Sequence, residues 1–239
     1  MRWLVATVAE TIPETVRAVT LRLDVPDWPG HRAGQHVDVR LTAEDGYQAQ
    51  RSYSIASPPG SERLELTVER IDEGEVSPYL TTVADVGDQL ELRGPIGGWF
   101  VWDGTDDAPV LLVGGGSGVV PLRAMLQHHA ASDSKAAMHL VQSSRTLGDV
   151  IYRRELDALV GPRRAVTLTL TREAPPDWAG HRGRVDARLL TESGWPPSAQ
   201  PHCFVCGPTP FVETVANALV EVGHDPQRIK TERFGPTGG

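Results

Sequence analysis

The feature that most constrains this chain is a change of hydrophobic period near residue 105. Up to about Val101, apolar residues recur at every second position. Val37, Val39 and Leu41 alternate with Asp38 and Arg40, Leu64, Leu66 and Val68 alternate with Glu65, Thr67 and Glu69, and Leu21, Leu23 and Val25 repeat the theme. Alternation of this kind buries one face of a strand, and with Gly and Pro punctuation it predicts an N-terminal antiparallel β-barrel or sandwich with one short helix over 78–83. After the polar stretch Asp103 to Pro109 the pattern changes. Short apolar runs at 110–113, 139–142, 166–170 and 203–206 alternate with helix-like segments at 122–129, 152–159 and 211–222. Strand and helix in alternation predict a C-terminal α/β domain, a parallel sheet with helices on its faces. In the last helix Thr209 is expected to cap, Pro210 to take the first position and Gly223 to close. The chain is therefore read as two domains, 1–104 and 105–239.

Charge and cysteine content narrow the functional classes. The 239 residues carry 31 acidic and 23 basic side chains, a formal net charge of -8, with no run of Lys or Arg. Without a cationic footprint, nucleic acid and anionic membrane surfaces are not the expected partners. The N-terminus builds no apolar secretion segment and the longest apolar runs are far too short to span a bilayer, so no membrane insertion and a cytoplasmic location are expected. Two cysteines, Cys203 and Cys206, cannot supply the four thiolates of an iron-sulfur cluster, so any redox cofactor is expected to be organic. Their odd spacing in a strand sends them to opposite faces, which disfavours a disulfide. The histidines, among them His31, His36, His128, His129, His181 and His202, show no metal-ligand spacing and are read as surface or packing residues, with no metal expected.

Two segments carry the chemistry. The turn Gly114-Gly115-Gly116-Ser117-Gly118-Val119-Val120-Pro121 follows an apolar strand and opens a helix. Glycines there let the backbone approach a pyrophosphate, and free amides plus the helix dipole attract its charge, although a plain tight turn has the same composition. The run Arg51-Ser52-Tyr53-Ser54 closes a strand of the first half. An Arg fork can hold phosphate while the aromatic two residues on points the same way, which suits a ligand with a phosphate and a flat ring; an exposed Arg beside a half-buried Tyr is the structural alternative.

In this order the two segments resemble the ferredoxin-NADP reductase superfamily, a flavin barrel followed by a nicotinamide-nucleotide domain, and the resemblance covers nearly the whole chain. It implies that Arg51 contacts the FAD phosphates, that Tyr53 lies against the isoalloxazine and that Ser54 sits near the flavin N5. Gly74-Glu75-Val76-Ser77 matches the family's Gly-x-x-Ser, whose amides and Ser77 would hold the pyrophosphate, and Gly94-Pro95-Ile96-Gly97-Gly98-Trp99-Phe100 matches the phrase closing the barrel. Gly115, Gly116, Ser117 and Gly118 look like the NAD(P) pyrophosphate loop, and Cys206-Gly207-Pro208 like the Cys-Gly-Pro at the nicotinamide. By the same resemblance Ser54, Cys206 and Glu232 are the catalytic candidates. Ser144, Arg145, Thr171 and Arg172, with Arg182 and Arg184 as possible additions, stand where the family chooses between coenzymes, and their guanidinium and hydroxyl groups favour the 2'-phosphate of NADPH over NADH.

The implied activity is an FAD-dependent reductase that takes a hydride from NAD(P)H and passes single electrons to a separate acceptor, such as a ferredoxin, a flavodoxin or an oxygenase. A ferric-chelate or free-flavin reductase and a non-catalytic electron-carrier subunit are the alternatives.

Overall fold

The computed structural model describes residues 2–235. In the first half, β1 (Leu4–Pro13), β2 (Ala18–Asp24), β3 (His36–Thr42), β4 (Gln48–Ser54), β5 (Leu64–Glu69) and β6 (Gln89–Ile96) pair antiparallel in the order β4-β3-β6-β1-β2-β5. A further antiparallel bridge from Ile55, just past β4, to Leu66 of β5 joins the two ends of the sheet, so the architecture is a barrel rather than a sandwich. Its interior is filled by the alternating residues: Leu21, Leu23, Val37, Val39, Leu66, Val68, Leu90 and Leu92 are all buried. The helix α1 (Ser77–Thr82) lies between β5 and β6, with Leu80 turned inward.

The second half contains β7 (Val110–Gly115), α2 (Val119–Ala131), β8 (Met138–Ser144), α3 (Arg153–Leu159), β9 (Arg164–Leu170), β10 (His181–Arg182), α4 (Ala187–Ser193), β11 (His202–Pro208), α5 (Thr209–Glu221) and β12 (Ile229–Phe234). The strands are parallel in the order β10-β9-β8-β7-β11-β12. Chain direction across the sheet reverses between β7 and β11, and a crevice opens at the carboxyl ends of strands at such a switch point. Cys203 packs with Leu111 and Val113 on one face of the sheet and Cys206 with Phe204 on the other.

Two details differ from the sequence expectations. Thr209 is the first helical residue of α5 and not its cap: Pro208, already extended at φ -56° and ψ 144°, holds the cap position and starts the helix one residue earlier. The helix α4 was not anticipated. Its signals are local, since Asp186 caps it by accepting from the Leu189 amide at 2.9 Å, but its seven residues are too few for a helical period to stand out.

The two halves share a core. Phe100 meets Phe204 edge-on at 5.4 Å, and Trp102 meets His128 of α2 edge-on and His129 at a tilt. At the centre of the seam, Arg123 of α2 is buried and donates to Glu65 of β5 at 2.6 Å, to the Ala56 carbonyl at 3.1 Å and to Glu155 of α3 at 2.5 Å. Burial favours the neutral form of Glu65, yet the Arg123 and Arg22 guanidinium groups outweigh it and hold the carboxyl below its ordinary range. Tyr152, also buried, bonds Thr67 through its hydroxyl and Glu14 through its amide. Removing one partner of a buried, hydrogen-bonded charge cluster costs about 3–5 kcal/mol, so this seam fixes how the barrel faces the sheet.

Candidate functional site

At the carboxyl ends of three adjacent strands, Gly114, Cys206 and Glu232 lie abreast in register. The Cys206 thiol is buried, and burial together with the nearby Glu232 charge pushes it well above the usual thiol range, so it is a neutral packing group and not a nucleophile. Glu232 reaches across the seam: its Oε1 is 3.6 Å from Nδ1 of His36, and its Oε2 is buried with no hydrogen-bond partner. His36 begins β3 and is the direct partner of Ser54 across the β3–β4 ladder, which puts their side chains on one face. The structure thus brings together Ser54 and His36 from the barrel with Cys206 and Glu232 from the sheet. His36, read from the sequence as a surface or packing residue, is half-buried beside Glu232. Only strand register and the approach of a second domain reveal it.

On the barrel, Arg51 is exposed on β4 and its guanidinium donates to Glu75 at 3.0 Å, while Tyr47 also bonds Glu75 through its hydroxyl. Tyr53 is half-buried against the barrel core, and burial raises its hydroxyl far above the usual range, so its ring presents an uncharged face. Gly74 sits where an added Cβ would lie 3.0 Å from the Ile71 carbonyl and 3.1 Å from Ser77 Oγ. Val76 is buried and precedes the first residue of α1. The resemblance gives the Ser77 hydroxyl to the pyrophosphate; here the side chain is buried and its oxygen accepts from the Ile71 amide at 3.0 Å, which fixes the shape of the turn.

The glycine loop is built by close approach. A Cβ on Gly118 would lie 2.1 Å from the Cys206 carbonyl oxygen, and one on Gly115 would fall 2.8 Å from the Phe211 ring, while Gly116 adopts φ +55°. A Cβ on Gly207 would likewise meet the Phe211 ring at 2.7 Å. The loop opens into a cleft of about 400 Å³ between barrel and sheet, lined by Gly115, Gly116, Ser144, Arg145, Thr171, Arg184 and Pro208, with Arg17 and Glu69 from the barrel. Ser144 Oγ is buried without a partner at its floor, and Thr171 is tied to the Ser144 carbonyl through both amide and hydroxyl. Arg172, expected beside Arg145, is exposed, and its amide donates to the Arg145 carbonyl at 2.9 Å. Arg182 donates to the Ala174 and Pro175 carbonyls.

These donors fit the groups they would have to hold. A half-exposed guanidinium on a barrel strand suits a phosphate, and a glycine loop in contact with a neighbouring strand, over an orphaned buried hydroxyl, suits a dinucleotide. Among the described residues no cluster of three or more His, Cys, Asp or Glu could hold a metal, and no helix is long and apolar enough to cross a membrane.

Comparison with known proteins agrees with this division of labour. Residues 4–101 match the family "Oxidoreductase FAD-binding domain" and residues 112–217 match "Oxidoreductase NAD-binding domain". The chain is 37% identical over 213 residues to ferredoxin--NADP reductase B of Sorangium cellulosum, covering 84% of each protein. It is 33% identical over 235 residues to the glycine betaine monooxygenase reductase subunit of Chromohalobacter salexigens, covering 95% of this chain and 63% of that one, and so spans just under two thirds of that relative. Its fold superposes on a cytochrome P450 reductase from Amycolatopsis with a TM-score of 0.86 at 26% identity, covering 99% of this chain and 71% of the other.

Proposed function

This chain belongs to the ferredoxin-NADP reductase superfamily, and we propose that it is an FAD-dependent reductase that takes a hydride from NAD(P)H and delivers electrons singly to a separate protein acceptor. The observation that carries this reading is the meeting of Ser54, His36, Cys206 and Glu232 at the seam between the FAD-binding barrel and the switch point of the NAD-binding sheet. We place the domain boundary at 104/105, between the two family matches. Bound FAD supplies the conversion of a two-electron donation into single-electron release.

The protein's part is placement. Arg51 and the main chain of the Gly74–Ser77 turn hold the flavin phosphates, and the Tyr53 ring lies against the flavin. The Gly115–Gly118 amides hold the coenzyme pyrophosphate, and Gly207 and Pro208 continue the wall beside the loop. Cys206 fills the floor under the nicotinamide with a neutral, polarisable group and excludes water. Ser54 and the Glu232 carboxylate orient the reacting faces, with His36 beside the carboxylate's Oε1. The acceptor is a redox protein such as a ferredoxin, a flavodoxin or an oxygenase component, the role named for the monooxygenase reductase relative.

The cleft favours NADPH, because Arg145 and Arg184 line it above the buried Ser144 and a 2'-phosphate would take charge-assisted bonds from them. The test is an anaerobic titration of the yellow protein. NADPH should bleach the flavin band at about one equivalent per FAD, NADH should need a higher concentration, and added salt should weaken NADPH more than NADH. A flavin band untouched by either coenzyme would overturn the reductase reading, and equal use of both at all salt concentrations would overturn the preference.

A further inference from the structure

The pyrophosphate loop already has a carboxylate on it, and that carboxylate comes from the other domain. Glu69, the last residue of β5, places Oε2 3.3 Å from the Ser117 amide, and a Cβ built on Gly116 would lie 3.5 Å from the same oxygen. Glu69 is half-buried and forms no ion pair among the described residues. The nearest barrel cation lining the cleft, Arg17, is spent elsewhere, on the Arg70 carbonyl at 2.7 Å and Asp72 at 3.1 Å. Of the other charged side chains in the cleft, Arg145 and Arg184 lie on the sheet, and Asp149 is turned into a local cap with Thr146.

From this geometry we infer that Glu69 competes with the coenzyme's pyrophosphate for the amides of the glycine loop, so that a residue of the flavin barrel sets the affinity for NAD(P)H. The inference rests on the nucleotide reading above. A single N–H cannot serve two anions at full strength, and a carboxylate held beside a diphosphate repels it, an effect that salt screens in a cleft open to solvent. Coenzyme entry therefore displaces Glu69 from Ser117. The displacement loosens one of the contacts that join barrel and sheet, which ties coenzyme occupancy to the fit of the two domains. Weak holding suits an enzyme that must release oxidised coenzyme at every turnover.

The test compares flavin-loaded wild type with Glu69→Gln, which keeps shape and removes charge, and with Glu69→Ala as a second variant in case the first folds poorly. Calorimetric titration uses ADP-ribose, which carries the pyrophosphate, and adenosine 2'-monophosphate, which lacks it. ADP-ribose should bind about five- to tenfold tighter to both variants, adenosine 2'-monophosphate should stay within twofold, and the ADP-ribose gain should shrink at high salt. Unchanged or weaker ADP-ribose binding would overturn the inference while leaving the nucleotide site intact. An equal gain for both ligands would show a diffuse charge effect in place of competition at the loop, and would also overturn it. Failure of wild type and variants alike to bind ADP-ribose would remove the nucleotide reading and this inference together.

Discussion

The two phosphate grips proposed for this protein are built from different materials. In the barrel the grip centres on a side chain: Arg51 stands exposed on β4, and its guanidinium is held by Glu75 from the next turn. In the sheet the grip is main chain, and packing dictates its shape, since Gly118 lies against the Cys206 carbonyl and Gly115 against Phe211. A side-chain grip can exchange one partner for another by rotating a few bonds. A main-chain grip cannot, because moving the amides moves the strand ends. Each grip meets a barrel carboxylate, Glu75 on Arg51 and Glu69 on Ser117, yet only the second contact crosses between domains. On the proposed assignment, the barrel would hold FAD through a local and adjustable contact and would meet the coenzyme through a contact that spans the seam.

The largest effect that would sharpen this contrast is Gly118→Ala. A methyl group 2.1 Å from a carbonyl oxygen forces β11 and the loop apart. Overpacking of this kind costs about 1–3 kcal/mol, and here the displaced atoms are the amides assigned above to the coenzyme. Chemical denaturation should show that loss, and ADP-ribose binding should disappear, while FAD content stays at that of wild type. A variant that binds ADP-ribose normally would show that the loop yields as easily as the side-chain grip, and the contrast would fail.

Next in size is Arg51→Ala. A charge-assisted bond to phosphate is worth about 1.5–3 kcal/mol, so FAD should dissociate about tenfold to a hundredfold more readily. The apoprotein should be almost as stable as wild type, because the Arg51–Glu75 pair is exposed and such pairs contribute about 1 kcal/mol or less. Flavin fluorescence on dilution and a thermal melt of the apoprotein measure the two quantities. Full FAD retention would take Arg51 out of the site.

What the sequence disclosed about these grips follows from their construction. The glycine loop was legible because close approach to Cys206 and Phe211 leaves room for no other residue, and the change from period two to alternating strands and helices marked the barrel and the parallel sheet. Contacts that depend on how two domains meet were not legible. His36 shows its place between Ser54 and Glu232 only when β3 is registered against β4 and β12 comes up from the other side. Arg123, in an apolar helix, gives no sign that Glu65 waits for it across the seam, and Glu69 reads as the polar member of an alternating strand.

The smallest effect probes the point where neither grip acts. Glu232→Gln keeps the size of the side chain and removes its charge opposite His36, and Ser54→Ala removes one hydroxyl from the facing strand. Neither residue is assigned to a phosphate, so FAD content and ADP-ribose affinity should both match wild type. Their proposed task is orientation of the reacting faces, where one hydrogen bond is worth about 0.5–1.5 kcal/mol, or roughly two- to tenfold in rate. Stopped-flow reduction of the flavin by NADPH should slow by that factor in each variant. A loss of FAD or of ADP-ribose binding in either would show that the seam residues and the grips act as one unit. Unchanged reduction rates in both would remove Ser54 and Glu232 from the reaction, leaving placement of the nicotinamide to the main-chain loop and the Cys206 floor alone.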